Sequence, residues 1–327
     1  MKHEIDLIEI YIPECIPHSP GIMPGLDKLS GWDFLLNRAK QENQTSEWDS
    51  VLSQYFFSQS TQDIPHAALC AYLNDLENTQ QKYWIKADPI HCMLDRNHGY
   101  IYPAEISPSD VQAINNFIKQ DGLKFWIIDS HNALISSDKP INYHAPSLID
   151  IIQQPLSFEK ITGEDKAYWQ KLNSELQLLL KQYKKTETDP DGVYFYGAGE
   201  RPKNKINIPF DKVFSDNDSV LGLAKLGNVA FQKIDLNTQI NVELENNKAI
   251  LIMAQNFSLY WRAGNLEAYQ KWVVYFNKFL AQLIDVIQAG RLKKLILNTG
   301  NKKYELTKKS IFIAEFLKHF KHKKAYN

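Results

Sequence analysis

The stretch that decides the fold runs Ala249-Ile-Leu-Ile-Met-Ala254, then the long apolar-periodic segment Leu266 to Ile287, then Leu292-Lys-Lys-Leu-Ile-Leu297. Two short, almost wholly apolar runs bracket a helical pattern. That is how buried parallel strands joined by a covering helix are written. Working outward, Val193 to Tyr196 and Val229 to Ile234 read as further strands, and Ser219 to Leu226 and Lys308 to Phe320 as further helices. Alternation of this kind predicts an α/β fold, with a mostly parallel sheet flanked by helices on both faces.

At the other end of the chain, Ile5, Leu7, Ile8, Ile10 and Ile12 read as one buried strand, closed by the turn-rich run Pro13-Glu-Cys-Ile-Pro17-His-Ser-Pro20-Gly21. Helical patterns dominate from Leu26 to Leu76. Trp48, Val51, Leu52, Tyr55 and Phe56 recur at spacings of three and four, and Asp63-Ile-Pro-His66 opens a further helix. From Lys82 to Lys185 strands and helices mix: Lys82 to Leu94 and Gly99 to Pro103 as strands joined at Asp95 to Gly99, a helix from Ser107-Pro108, a strand over Leu123 to Asp129, and a strongly periodic helix between Thr162 and Tyr183. The expected organisation is an N-terminal strand plus helical region over 1–80, an inserted smaller α/β domain over 81–190, and a closing α/β domain over 191–327 whose sheet takes in the N-terminal strand.

Composition narrows the function classes. The 327 residues carry a formal net charge of -1, which gives the chain as a whole no attraction to nucleic acid or to anionic membrane. Cys15, Cys70 and Cys92 are widely spaced and form no Cys-x-x-Cys pair, which suits a reducing compartment and argues against a zinc ribbon. The first residues are acidic where a signal peptide needs a basic start, and no apolar run approaches the ~18 residues that span a bilayer. A cytoplasmic protein is expected, without a membrane partner.

Two segments carry the candidate chemistry. In Tyr83-Trp-Ile-Lys-Ala-Asp-Pro-Ile-His91, strand alternation puts Lys86 and Asp88 on one face and His91 on the other. Lys86 is a candidate anion binder, and Asp88 with His91 a carboxylate and imidazole suited to acid–base work. The plainer reading, that Asp88 and His91 fix a turn, outweighs it. In Asp191-Gly-Val-Tyr-Phe-Tyr-Gly-Ala-Gly199, the pair Gly197 and Gly199, with Arg201 beyond, follows a strand as a phosphate-cradling turn would. The spacing fits neither a dinucleotide fingerprint nor a P-loop, and a plain turn is again favoured. Asn173 and Glu175 lie on the Leu-rich helix and read chiefly as its wet side. The basic tail Lys318 to Lys324 reads as a solvated helix end, and nucleic acid is not expected on it.

Taken together, Trp84-Ile-Lys-Ala-Asp-Pro-Ile-His91, Leu172-Asn-Ser-Glu-Leu-Gln-Leu-Leu179, Tyr194-Phe-Tyr-Gly-Ala-Gly199 and Tyr304-Glu-Leu-Thr307 resemble the bacterial RpfE-type regulatory proteins. Those in turn look like reduced relatives of the cofactor-independent phosphoglycerate mutases of the alkaline phosphatase superfamily. The resemblance implies a phosphatase-like sheet with an inserted domain, and it puts Lys86 where the mutases have an Arg. It also implies two metals and a Ser nucleophile, and these do not carry over. The first strand ends in Ile12-Pro-Glu-Cys-Ile, the strand at 249–254 runs into Gln255-Asn-Phe-Ser-Leu259, and the strand at 292–297 ends in Asn298-Thr-Gly where the enzymes place an Asp-His pair. No His occurs between His144 and His319. The expectation is therefore a degenerate, non-catalytic scaffold without metal or cofactor, serving a protein partner. The rival is a metal-independent enzyme or sensor, binding a small phosphorylated or carboxylated metabolite between the insert and the main domain.

Overall fold

The structure is a computed structural model of the chain. It describes residues 4–15, 30–44, 48–57, 64–76, 82–95, 98–152, 154–155, 158–184, 186, 189–203, 206–234 and 247–324. The chain divides into two compact units: 1–60 with 206–327, and the continuous stretch 61–205. In chain order the elements are β1 Ile5–Tyr11, α1 Ser30–Arg38, β2 Lys40–Asn43, α2 Trp48–Phe56, α3 His66–Leu73, β3 Tyr83–Asp95, β4 His98–Pro103, α4 Pro108–Ile118, β5 Lys124–Asp129, β6 Asn132–Ser137, α5 Leu148–Ile151 and α6 Lys166–Lys181. Then follow β7 Gly192–Gly199, β8 Lys212–Ser215, α7 Asp218–Leu226, β9 Ala230–Lys233, β10 Ala249–Met253, α8 Asn256–Arg262, α9 Leu266–Gln288, β11 Leu292–Asn298, β12 Lys302–Thr307 and α10 Lys308–Lys324.

The first unit holds a seven-stranded sheet in the order β2-β12-β11-β1-β10-β8-β9. Strands β11, β1, β10, β8 and β9 run parallel, while β12 and β2 are added antiparallel at one edge. The α/β class and the mostly parallel sheet are as the apolar runs predict. On one face Ile8, Ile10, Ile250, Ile252, Leu295 and Leu297 meet the stripe Trp272, Phe276, Leu280 and Leu283 of α9. That stripe recurs every three or four residues, the period that keeps one helix face on the core. Helix α1 lies so close to α9 that a Cβ at Gly31 would come within 2.5 Å of the Asn277 backbone oxygen. The buried Asn277 Oδ1 accepts the Gly31 and Trp32 N–H groups at 3.0 and 3.2 Å, meeting donors that a helix start otherwise leaves orphaned. On the opposite face the Trp48 ring of α2 sits 5.5 Å from that of Tyr11.

The second unit is built on an antiparallel sheet, β4-β3-β6-β5, with β7 along the free edge of β3. Its main core joins Ile85, Ala87, Ile135, Val193 and Phe195 to Ile114 and Ile118 of α4 and Trp169, Leu172, Leu176 and Leu180 of α6. The other face, with Trp84 and Leu134, is covered by Ala67, Ala68, Cys70 and Ala71 of α3. Helix α4 starts on the capping box that Ser107-Pro108 announces: Ser107 Oγ accepts from Asp110 N and Asp110 from Ser107 N.

The strand read over Val193 to Tyr196 belongs to this second sheet and not to the closing parallel one, because its backbone pairs with Lys86 to Ile90 of β3. Six further elements escaped the sequence reading: β2, β6, α5, β8, α8 and β12. The turn run Pro17 to Gly21, Asp63 and the side chains of the basic tail from Lys318 lie outside the described residues.

Candidate functional site

In the second unit the alternation of β3 separates the candidate residues into two groups. Lys86 and Asp88 are both buried, on the face that carries Trp84. Lys86 Nζ lies 3.0 Å from Asp88 Oδ1 and donates to Asn132 Oδ1 at 3.3 Å. Asp88 Oδ1 accepts the Ala133 N–H at 3.0 Å, and Asp88 Oδ2 accepts the Tyr196 hydroxyl at 2.6 Å. Burial, and then the Asp88 carboxylate, hold the Tyr196 hydroxyl far above its ordinary pKa, so it remains a donor. Lys86 is thus compensated from inside the sheet, with about 5% of its side chain exposed.

His91 does not pair with Asp88. Its Nδ1 stands 3.1 Å from Asp191 Oδ2, and Lys184 Nζ stands 3.3 Å from the same oxygen. Asp191 Oδ1 accepts the Cys92 N–H at 2.8 Å. The carboxylate–imidazole pair expected within one strand exists across two, since β3 places His91 at the start of β7, where Asp191 precedes Gly192. Burial and the nearby Asp191 push the Cys92 thiol up to about 12, which keeps it protonated and unreactive at neutral pH.

Gly197 and Gly199 form no cradle. They lie inside β7, where Trp84 pairs with Gly199 and Lys86 with Tyr196, so three steps of β7 face two of β3. The extra residue is a β-bulge, and Gly197 takes it up with φ +59°, a conformation that side chains disfavour. A Cβ on Gly197 would lie 2.8 Å from His66 Cβ, and one on Gly199 2.7 Å from Pro65 Cβ. The glycine pair therefore lets the start of α3 pack directly onto the strand. Arg201 stacks its guanidinium 4.8 Å from the Tyr72 ring of α3. On α6, Glu175 pairs with Lys171 at 3.7 Å, while the buried Asn173 Oδ1 has no hydrogen-bond partner. The eight candidates do not converge on one point. They divide among the Lys86–Asp88 network, the His91–Asp191 group, the α3 contact and, for Asn173 and Glu175, a half-buried flank of α6.

In the first unit attention falls on the C-terminal ends of the parallel strands, where open α/β sheets bind ligands. There Glu14, beyond β1, takes Arg262 of α8 through Nε at 3.1 Å and Nη2 at 2.7 Å. Beyond β8, the buried Asp216 accepts the N–H of Gln255 at 2.9 Å and of Asn256 at 2.9 Å, fastening the tip of β8 to that of β10. Burial raises Asp216 to about 6 against those bonds. Asn217 Oδ1 caps α7 through Ser219 N, and its Nδ2 donates to Gln255 Oε1 at 2.6 Å. Asn298, at the tip of β11, accepts from Gly300 N at 2.9 Å. Deeper in the sheet, the Tyr55 hydroxyl donates to the buried Glu9 at 2.5 Å, and burial with that carboxylate raises Tyr55 strongly.

These donors do not fit the two-metal centre that the mutase resemblance implies. Glu14 is taken by a guanidinium and Asp216 by two amides, and among the described residues no group of three His, Cys, Asp or Glu side chains is arranged to hold a metal ion. The sequence reading passed over Asp191, Tyr196, Asp216, Lys184, and the Glu14–Arg262 pair. Only Asp191 carried a signal, as the polar residue that opens a β-strand opposite His91.

No protein-family model matches this chain, and no curated protein matches its sequence. Among solved structures the chain is similar to the PH0037 protein from Pyrococcus horikoshii, with a TM-score of 0.50, 11% sequence identity, and coverage of 94% of this chain and 88% of that one. It is also similar to the cofactor-independent phosphoglycerate mutase from Thermoplasma acidophilum DSM 1728, with a TM-score of 0.40, 12% identity, and coverage of 94% and 90%. At these identities the likeness is one of fold. Among the described residues no helix is long and apolar enough to cross a membrane.

Proposed function

We propose that this chain is a non-catalytic regulatory or interaction protein of the RpfE-like kind, a cytoplasmic pseudoenzyme on a phosphoglycerate mutase-like scaffold. One observation carries the reading. Among the described residues, Glu14, Asp216 and Asn298 at the C-terminal ends of the parallel strands are committed to partners within the chain. Glu14 to Arg262, Asp216 to Gln255 and Asn256, and Asn298 to Gly300 each fasten a strand tip or its loop. A phosphoryl-transfer site needs such groups turned toward substrate oxygens, ready to offset charge on the attacking and leaving atoms. A scaffold that spends them on its own loops gains a rigid surface for a partner.

The test is turnover of phosphoglycerate and of a generic phosphate ester by the full chain, with Mn, Mg, Co and Zn each supplied. No turnover above the buffer control is expected with any of them. Metal-dependent turnover that disappears in Asp216→Asn would overturn the reading.

A second reading, a sensor of a phosphorylated or carboxylated metabolite, is favoured by His91 and Lys184. Both are partly exposed and gathered on Asp191, and the Lys184 ammonium has further N–H groups to offer an anion. Calorimetry with inorganic phosphate separates the two. Heat of binding that vanishes in His91→Ala with Lys184→Ala would favour the sensor.

A further inference from the structure

The polar group around Asp191 is built on three fixed points of the second unit. The Asp191 N–H donates to the Ile90 carbonyl at 3.0 Å, which sets its carboxylate beside His91. Lys184 is tied by its own N–H to the Leu180 carbonyl at the end of α6, at 3.1 Å. His91 is held in β3 opposite Tyr102 of β4. The His91 Nδ1 and the Lys184 Nζ then meet on one oxygen, Asp191 Oδ2. A carboxylate only accepts, so Nδ1 carries the proton of that hydrogen bond, and the lone pair of the neutral ring stands on Nε2. Among the described residues no group hydrogen-bonds Nε2, and that nitrogen is not one of the buried atoms left without a partner, so it is open to solvent.

Reactivity is divided unevenly among the neighbours. Lys184 and Lys181, the latter exposed on the last turn of α6, both act on the Cys92 thiol beside Asp191. Burial and Asp191 outweigh them there, so the thiol stays protonated and supplies no nucleophile. The imidazole is left as the nucleophile of the group, oriented by a carboxylate on its far nitrogen and with an ammonium beside it for an anionic electrophile.

We propose that His91 is a phosphoryl-accepting residue, taking a phosphoryl group on Nε2 from a small donor of the phosphoramidate or acyl phosphate class. The proposal rests on the second reading of this site, that it takes an anion. The Nε2 lone pair forms the new P–N bond as the bond from phosphorus to the leaving group breaks. The leaving group departs with that electron pair, as ammonia from N-protonated phosphoramidate or as a carboxylate from an acyl phosphate. The proton stays on Nδ1, where Asp191 offsets the positive charge that the phosphorylated ring acquires, and Lys184 is at hand for the phosphoryl oxygens. A neutral acyl group would draw far less from that lysine. The uptake is stoichiometric, one group at one residue without turnover, in keeping with a regulatory chain.

The experiment is incubation of the full chain with potassium phosphoramidate, with labelled positions and their rates read by peptide mass spectrometry. His131 is the internal reference, since it is exposed and its Nε2 stands 3.6 Å from the Glu105 carboxylate, which repels an anionic donor. His91 should label at least about tenfold faster than His131, the effect of one charge-assisted contact, and the two rates should converge in urea. Lys184→Gln should cost His91 about tenfold and leave His131 unchanged. In Asp191→Asn the amide can donate to Nδ1 and move the ring proton to Nε2, so the preference should vanish and the nitrogen NMR shifts of the His91 ring should report the move. A His91 rate no higher than that of His131 in the folded parent overturns the proposal. If inorganic phosphate still binds in calorimetry, the sensor reading survives that failure; if it does not, both fall. Preferential labelling that survives both Lys184→Gln and Asp191→Asn also overturns the proposal, because exposure alone would then explain the rate.

Discussion

Asp88 shows what a single residue's environment can decide. Its carboxylate is buried and receives three partners: the Lys86 ammonium, the Ala133 amide and the Tyr196 hydroxyl. Removing one member of such a buried set leaves the others desolvated and unmatched, which costs about 3–5 kcal/mol. Lys86→Met should therefore destabilise the protein by about that much in urea titration. Lys86→Met combined with Asp88→Asn should cost less than the two changes summed, by about 1 kcal/mol or more. A Lys86→Met variant within about 1 kcal/mol of the parent would mean that the pair is solvated and that Lys86 is available to a ligand. The sequence made the shared face of Lys86 and Asp88 legible through the two-residue period of a strand. It could not make Tyr196 or Asn132 legible, since both reach Asp88 or Lys86 from other strands. The same limit hid Asp191 from His91: side-chain spacing speaks within an element, and these bonds run between elements.

At the scale of elements, β8 is the most instructive miss. Lys212–Ser215 is four residues long, too short for a period to declare itself, yet it carries Asp216 to the end of the sheet. Its neighbour Ala249–Met253 and, beyond β1, Leu292–Asn298 were readable because parallel strands buried on both faces are nearly continuous apolar runs. The antiparallel pair of edge strand β2 and its neighbour β12 lacks that signature, being partly or wholly exposed and rich in polar residues. Asp216 gives the β8–β10 junction a pH dependence whose sign is fixed. Burial raises its pKa from 3.8 to about 6, so between those values the folded protein holds a proton that the unfolded chain releases. Its contribution to stability is full below about pH 4 and is lost as pH rises through about 6, a swing of about 3 kcal/mol. Asp216→Asn should flatten that segment of the stability profile. Denaturant titrations of parent and variant from pH 4 to 7 would measure it, and parallel curves would show that Asp216 keeps its ordinary acidity.

For the molecule as a whole, the α/β class was legible because it follows from the alternation of apolar runs and helical periods. The membership of each strand was not. Asp191 to Gly199 reads like any other strand of the last third, and only its backbone partners on β3 assign it to the second unit. That assignment has a consequence for how the chain folds. Residues 61–205 form one continuous segment with an antiparallel sheet complete in itself, including β7. Helices α4 and α6 close one face of that sheet with Ile114, Ile118, Trp169, Leu172, Leu176 and Leu180, and α3 covers the other with Ala67, Ala68 and Ala71. About 145 residues with two covered faces lie well within the size of an independent domain. The first unit, by contrast, is assembled from 1–60 and 206–327, and its central strand β1 pairs only with β10 and β11 from the far end of the chain. Residues 61–205 expressed alone should therefore melt cooperatively and give a dispersed amide spectrum. The same segment cut at 190 loses β7, and with it the Tyr196 and Asp191 partners of Asp88 and His91, and it should fail to melt cooperatively. If the shorter piece folds as well as the longer one, β7 is dispensable to the second unit and its pairing with β3 does not hold that unit together.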